Sequence, residues 1–212
     1  MCRFFYFILI GLIQFNKNII LASSSPRRKA LLHQAGITFE VLESNIEETW
    51  NNNLSAEENV QWLSYQKADA VAKRVSSGIV IGADTVVSLR GKIFGKPKDN
   101  VDAKRMLNEL SGETHIVFTG YTIIEVPNKK TITSHESTQV TFRKLTDEEI
   151  QYYISTGSPF DKAGGYGIQD DFGAIFINQI QGDFYNVVGL PLSKVYESLK
   201  QFSIVPSTLI VQ

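Results

Sequence analysis

The run Ser23-Ser24-Ser25-Pro26-Arg27-Arg28 sets three hydroxyls and two guanidiniums where a short apolar stretch gives way to a helical pattern. Cations at a helix N-terminus face the positive end of the helix dipole, so they need a reason to be there. Unpaired backbone N–H groups, hydroxyls and an arginine converging on one point make a cradle for an anion. The number of donors suits polyphosphate better than a carboxylate. Arg27 is assigned to that cradle beside the three hydroxyls, and Arg28 is expected to face outward. The competing reading is an arginine paired with a surface carboxylate. Lys67 lies on a stripe that otherwise reads Val60, Leu63 and Val71, so its ammonium must snorkel to solvent or meet an anion. Lys96 follows Phe94-Gly95 and precedes Pro97, which stiffens the backbone there.

The acidic partner is Asp84, set inside the apolar run Val80-Ile81-Gly82-Ala83-Asp84-Thr85-Val86-Val87. Carboxylates in such surroundings are usually paired or bind metal. The alternative is a structural aspartate at a bulge. Gly82 leaves room for another backbone or a ligand. Glu47 and Glu48, in the polar loop before Trp50, are the other carboxylates to be brought to the site. A carboxylate, an arginine and lysines, with no histidine base, suit phosphate chemistry with a divalent ion. Mg2+ takes one or two carboxylates and completes its shell with water and substrate phosphates. His33, His115 and His135 are far apart and match no zinc spacing. The sequence has no Walker A loop, no Gly-x-Gly-x-x-Gly after a strand and no Gly-x-Ser-x-Gly.

These residues need a scaffold. Asn18 to Ala22 reads as a short buried strand, followed by Ser25 as cap, Pro26 at the first helical position, and a helix burying Leu31, Leu32 and Ala35 before Gly36. Ser55 and Glu58 form a capping box for the helix that carries Lys67. Gly78 to Pro97 reads as a strand and hairpin turning at Arg90-Gly91. Asp99 caps a helix whose apolar face is Ala103, Met106, Leu107 and Leu110. His115 to Val126 and Ser137 to Leu145 read as strands joined by a turn at Pro127-Asn128-Lys129-Lys130. Thr146 and Glu149 box a further helix, Gly173 to Asn178 reads as a strand, and Pro191 starts a helix with Leu192, Val195, Tyr196 and Leu199 on one face. This pattern predicts an α/β chain with a mixed sheet and helices on both sides.

The totals narrow the function classes. A length of 212 residues suits one globular unit. The formal net charge of -1 advertises neither a nucleic-acid polymer nor a membrane surface as partner, so an anion site must be local. The single cysteine, Cys2, rules out an internal disulfide framework and suits a cytoplasmic, reducing setting. Residues 1–17 open with the outline of a secretory signal, but the apolar run falls short of the roughly 20 residues a span needs. They read as an apolar extension, with targeting or anchoring as the alternative.

The motifs LASSSPRRKALL, IGADTVV, GKP, LSGETHIVFTG, DKAGGYGIQ and NVVGLPL occur in this order. Each is weak alone; together they make the chain resemble the Maf family of nucleotide pyrophosphatases, roughly from Ile19 to Phe202. The resemblance implies an ITPase-like (Maf/Ham1) α/β fold, with an elongated mixed β-sheet flanked by helices and two lobes around a nucleotide cleft. It divides the chain into an extension at 1–17, the Maf-like domain at 18–202 and a tail at 203–212. It implies hydrolysis of a nucleoside triphosphate to the monophosphate and pyrophosphate by metal-assisted attack of water on the α-phosphorus. The cofactor would be a divalent cation, Mg2+ or Mn2+, and the assembly a homodimer. By the same resemblance Asp84 is catalytic and, with Glu48, a metal ligand; Ser23, Arg27, Glu48, Lys67 and Lys96 bind the substrate. Arg27, Thr85 and Gln169 match the dTTP- and UTP-specific branch, whereas the 7-methyl-GTP branch replaces them with an aromatic, an amide and an acid. The amide of Gln169 offers a donor and an acceptor, as does the O4/N3 edge of a pyrimidine. A pyrophosphatase for modified purine nucleotides and a nucleotide-binding regulator of septum formation remain the rivals.

Overall fold

The central strand, β3 (Gly78–Leu89), is buried along almost its whole length and pairs along one edge with β5 (Thr114–Val126) from Gly78↔Val126 to Ser88↔Ile116. The computed structural model describes residues 17–169 and 172–202. The expected extension at 1–17 (apart from Lys17) and the tail at 203–212 lie outside the described residues.

β1 (Ile19–Leu21) pairs in parallel with β3 and with the two-residue β2 (Glu40–Val41). β4 (Lys92–Phe94) folds back on β3 through Arg90 and Gly91, whose φ values of 53° and 80° suit a tight hairpin turn. β6 (Thr131–Phe142) follows β5 antiparallel, and β7 (Ile177–Gln181) completes the mixed, seven-stranded sheet in the order β2-β1-β3-β5-β6-β7, with β4 off that path.

Alternation along β3 assigns its two faces. Ile79, Ile81 and Ala83 pack with Leu31 and Leu32 of α1 (Pro26–Gln34) and with Val195 and Leu199 of α6 (Leu192–Lys200). Val80 packs on the other face with Ala68 and Val71 of α2 (Ala56–Ala72), and Val86 with Val60. Farther along, Val87 and Leu89 enter a second core with α3 (Asn100–Leu110) and α4 (Asp147–Ser155). Two lobes therefore share the long β3 and β5.

The expected caps are present: Ser25, Ser55 with Glu58, Asp99, and Thr146 with Glu149. Three local expectations change, and one element is added. Ala35 is exposed, because α1 closes there and only Arg28, Leu31 and Leu32 face inward. The second long strand runs from Thr131 to Phe142 rather than from Ser137 to Leu145. Its first half is a polar, half-exposed ladder dictated by the register from the hairpin, which hydrophobicity does not mark. Phe172–Phe176 is a 3-10 turn and the strand starts at Ile177, because Phe172 packs on Tyr152, and Phe176 on Tyr153 and Phe142. A short helix, α5 (Phe184–Val188), capped by Asp183, had no reading from sequence.

Candidate active site

β1 and β4 both pair with the same edge of β3 and leave a gap between them. The β1 register ends at Leu21↔Ile81 and the β4 register begins at Val87↔Phe94. Residues 82–86 of β3 thus have no strand partner on that edge. Neighbouring side chains point to opposite faces of a strand, so Asp84 faces α2 and Thr85 faces α1 and α5. An open edge lets both reach one cavity of about 750 Å3.

On the α2 face the helix lies almost on the backbone of the sheet. A Cβ at Gly82 would overlap the Ser64 carbonyl and Ala68, and one at Gly120 would overlap Val60 and Gln61. Gly120 is the β5 partner of Asp84. This close approach is the backbone contact expected at Gly82, and it brings Lys67 down to Asp84. Lys67 Nζ donates to Asp84 Oδ1 at 2.7 Å and pairs with Glu48 Oε1 at 2.8 Å. Lys67 is 4 % exposed and Asp84 5 %, so the lysine meets anions rather than snorkelling. Burial pushes the Asp84 carboxyl above the ordinary carboxylate range, against the opposing pull of Lys67 and Arg28. Burial also acts on Glu48, but the charges of Lys67, Lys96 and Arg28 outweigh it and hold its carboxyl below the usual range.

The opposite face corrects the assignment of Arg28, which is 8 % exposed rather than outward-facing. It precedes Leu31 and Leu32 by three and four residues and so lies on the buried stripe of α1. Its Nε donates to the Gly189 carbonyl at 2.8 Å, its Nη1 to Ser23 Oγ at 3.2 Å and its Nη2 to Thr85 Oγ1 at 3.0 Å. Burial pulls its pKa down, and the nearby carboxylates of Asp84 and Glu48 oppose this. Ser23 Oγ also accepts from the Ser25 N–H at 3.2 Å. With two bonds accepted, its hydroxyl proton is left for a ligand.

Arg27 lines the cavity but is engaged across it. Nη1 donates to Asp161 Oδ2 at 2.6 Å and Nη2 to the Asp161 carbonyl at 2.8 Å. The carboxylate pairing set against the anion cradle is therefore present, at the rim of the cavity itself. Lys162, which also bonds Asp161, lines the cavity beside it. Lys96 lines it without an ion-pair partner among the described residues, and Gln169 is exposed on its wall. Glu48 is on the lining, whereas Glu47 is exposed and off it. Neither His33, His115 nor His135 lines the cavity. His115 is buried against Tyr166 Oη at 2.7 Å, and burial pulls its pKa down to about 4.

Sequence reasoning missed Arg28, Asp161 and Lys162. The signal for Arg28 was its helical spacing from Leu31 and Leu32. Asp161 and Lys162 open the DKAGGYGIQ stretch, but nothing local says that this stretch meets α1 across a cleft.

The donor chemistry suits a hard divalent cation. Asp84 and Glu48 converge on one ammonium, and the second oxygen of each accepts no hydrogen bond among the described residues. No group of three or more His, Cys, Asp or Glu side chains that could hold a metal ion occurs among the described residues. No helix among the described residues is long and apolar enough to cross a membrane.

Comparison with known proteins gives a consistent family. Residues 18–202 match the family described as Maf-like protein. A Bacillus cereus protein named dTTP/UTP pyrophosphatase is 53% identical over 188 residues, covering 89% of this chain and 91% of the relative. Proteins of the same name from Bacillus anthracis and Bacillus cytotoxicus are each 52% identical, covering 97% and 96% of their own lengths and 89% and 88% of this chain. The solved structure of the Staphylococcus aureus Ham1 protein aligns with a TM-score of 0.41 at 16% identity, over 59% of this chain and 72% of that one. With a family match running through nearly the whole described chain, and relatives at half identity over nine-tenths of their length, the chain belongs to the Maf-like protein family.

Proposed function

We propose that this chain hydrolyses dTTP and UTP to the monophosphate and pyrophosphate. The observation that carries the reading is a buried carboxylate, Asp84, held by Lys67 in a cavity rimmed by Arg27, Lys96 and the free proton of Ser23. The relatives named dTTP/UTP pyrophosphatase support the substrate pair.

In this reading Arg27, Lys96 and Ser23 grip the triphosphate and neutralise charge that grows on the leaving pyrophosphate. Engaging Arg27 requires the phosphates to compete with Asp161 for its guanidinium. Asp84 accepts the proton of the attacking water as an O–P bond forms at the α-phosphorus and the bond to the bridging oxygen breaks. The raised pKa of Asp84 makes it a better acceptor than an ordinary aspartate. Lys67 fixes Asp84 and Glu48 together. Asp84 and Glu48 would hold Mg2+ or Mn2+, which supplies charge neutralisation and acidifies water when bound. Gln169 reads the O4/N3 edge of the pyrimidine. A homodimer and a cytoplasmic setting belong to the same proposal.

The test is pyrophosphate release by the purified chain from dTTP, UTP and 7-methyl-GTP, with Mg2+ or Mn2+ added. Faster turnover of dTTP and UTP is expected. A preference for 7-methyl-GTP would move the chain to the purine reading, and binding without pyrophosphate release would make it a regulator.

A further inference from the structure

The two hydroxyls that Arg28 touches have opposite hydrogen-bonding polarity, and a chain of buried groups fixes that of Thr85. Thr119, which is fully buried on β5, donates its hydroxyl proton to the Asn186 carbonyl on α5 at 2.9 Å. A carbonyl oxygen cannot donate, so the direction of this bond is set. The Thr119 hydroxyl has only that proton, so in the 3.0 Å contact between Thr85 and Thr119 the donor must be Thr85. Arg28 Nη2 donates into the same Thr85 oxygen at 3.0 Å. Thr85 thus has its proton and one lone pair engaged, and one lone pair left for the cavity. Ser23 is the reverse, with two bonds accepted and its proton left.

We infer that Thr119, through Thr85, is a specificity-determining positioning residue: it locks Thr85 as a pure acceptor that selects a sugar hydroxyl of the nucleotide. The inference rests on the proposed hydrolysis of dTTP and UTP. A phosphate oxygen or any other acceptor is repelled at Thr85 and attracted at Ser23. The pyrimidine edge is already read by Gln169, and Thr85 follows Asp84 directly in the chain, which puts it near the α-phosphate end of the nucleoside. The sugar hydroxyl that dTTP and UTP share is the 3′-hydroxyl. Buried groups built to bond a hydroxyl reject analogues that lack it, because the group in the site is left unpaired.

The experiment compares kcat/KM for dTTP, its 3′-amino analogue, which keeps a donor, and its 3′-fluoro analogue, which offers only an acceptor. The wild type is expected to accept the 3′-amino nucleotide within about threefold of dTTP and to lose at least tenfold on the 3′-fluoro one. Thr119→Val frees the Thr85 proton to turn toward the cavity and should narrow the gap between dTTP and the 3′-fluoro nucleotide at least threefold, while Thr119→Ser keeps it. Equal use of dTTP and the 3′-fluoro analogue by the wild type overturns the inference, even if Thr119→Val does not fold. So does an unchanged gap in a folded Thr119→Val. Absence of pyrophosphate release from dTTP and UTP by the wild type would instead overturn the proposed hydrolysis.

Discussion

The two faces of β3 at the open edge solve different problems with neighbouring residues. On the α2 face the contacts of Asp84 are ionic: Lys67 bridges Asp84 and Glu48, and the helix is pressed onto Gly82 and Gly120 to reach them. On the α1 and α5 face one buried arginine feeds a line of neutral hydroxyls that ends on a backbone carbonyl. Burial strengthens both arrangements by excluding competing water, but it does so differently. Ionic contacts tune how readily a proton moves. A directed hydroxyl chain moves no charge and sets only which polarity a ligand must present. Under the proposed hydrolysis, the contrast gives reactivity to one side of the strand and recognition to the other.

The largest effect should come from the charged face. Asp84→Asn keeps the shape but removes the proposed proton acceptor, and should lower kcat about a thousandfold while nucleotide binding by calorimetry survives. Near-normal turnover would break the division between the faces. Gly82→Ala comes next, because the new methyl meets the Ser64 carbonyl and Ala68. It should cost about 2 to 3 kcal/mol in urea unfolding and loosen the contact of Lys67 with Asp84.

Arg27→Ala should lower kcat/KM by roughly ten- to a hundredfold, about 1.5–3 kcal/mol, mainly through KM. A comparable fall in kcat would place Arg27 in the chemical step rather than in binding. The smallest effect sharpens the comparison through pH. Asp84 must be ionised to accept a proton, and burial holds its pKa above the ordinary value. Activity should therefore fall on the acid side at a higher pH than a normal aspartate would give. Lys67→Met removes the charge that opposes this shift and should move that limb upward, whereas Thr119→Ser should leave it in place. A pH–rate profile of kcat/KM for the three proteins reads the difference.

Much of the site was legible because its residues are chemically out of place. Asp84 interrupts an apolar strand, Lys67 interrupts an apolar stripe, and three serines with an arginine open a helix. Arg28 lies on the buried stripe despite its charge, because its spacing from Leu31 and Leu32 puts it on their face of the helix. Asp161 reads as an ordinary loop acid until the second lobe brings it against Arg27.

The sequence by itself determined the local pieces: the capped helices, the hairpin at Arg90-Gly91, the buried central strand and the out-of-place charges Asp84 and Lys67. Those depend on periodicity and on bonds between residues a few positions apart. The tertiary structure alone decided that β1 and β4 stop short of each other on one edge of β3, and hence that Asp84 and Thr85 open into one cavity from opposite faces. It also decided the direction of the Thr85 hydroxyl, since that follows from a carbonyl about a hundred positions away on α5. Pairing register and hydrogen-bond polarity between distant segments are set by packing of the whole chain, and no local pattern encodes them.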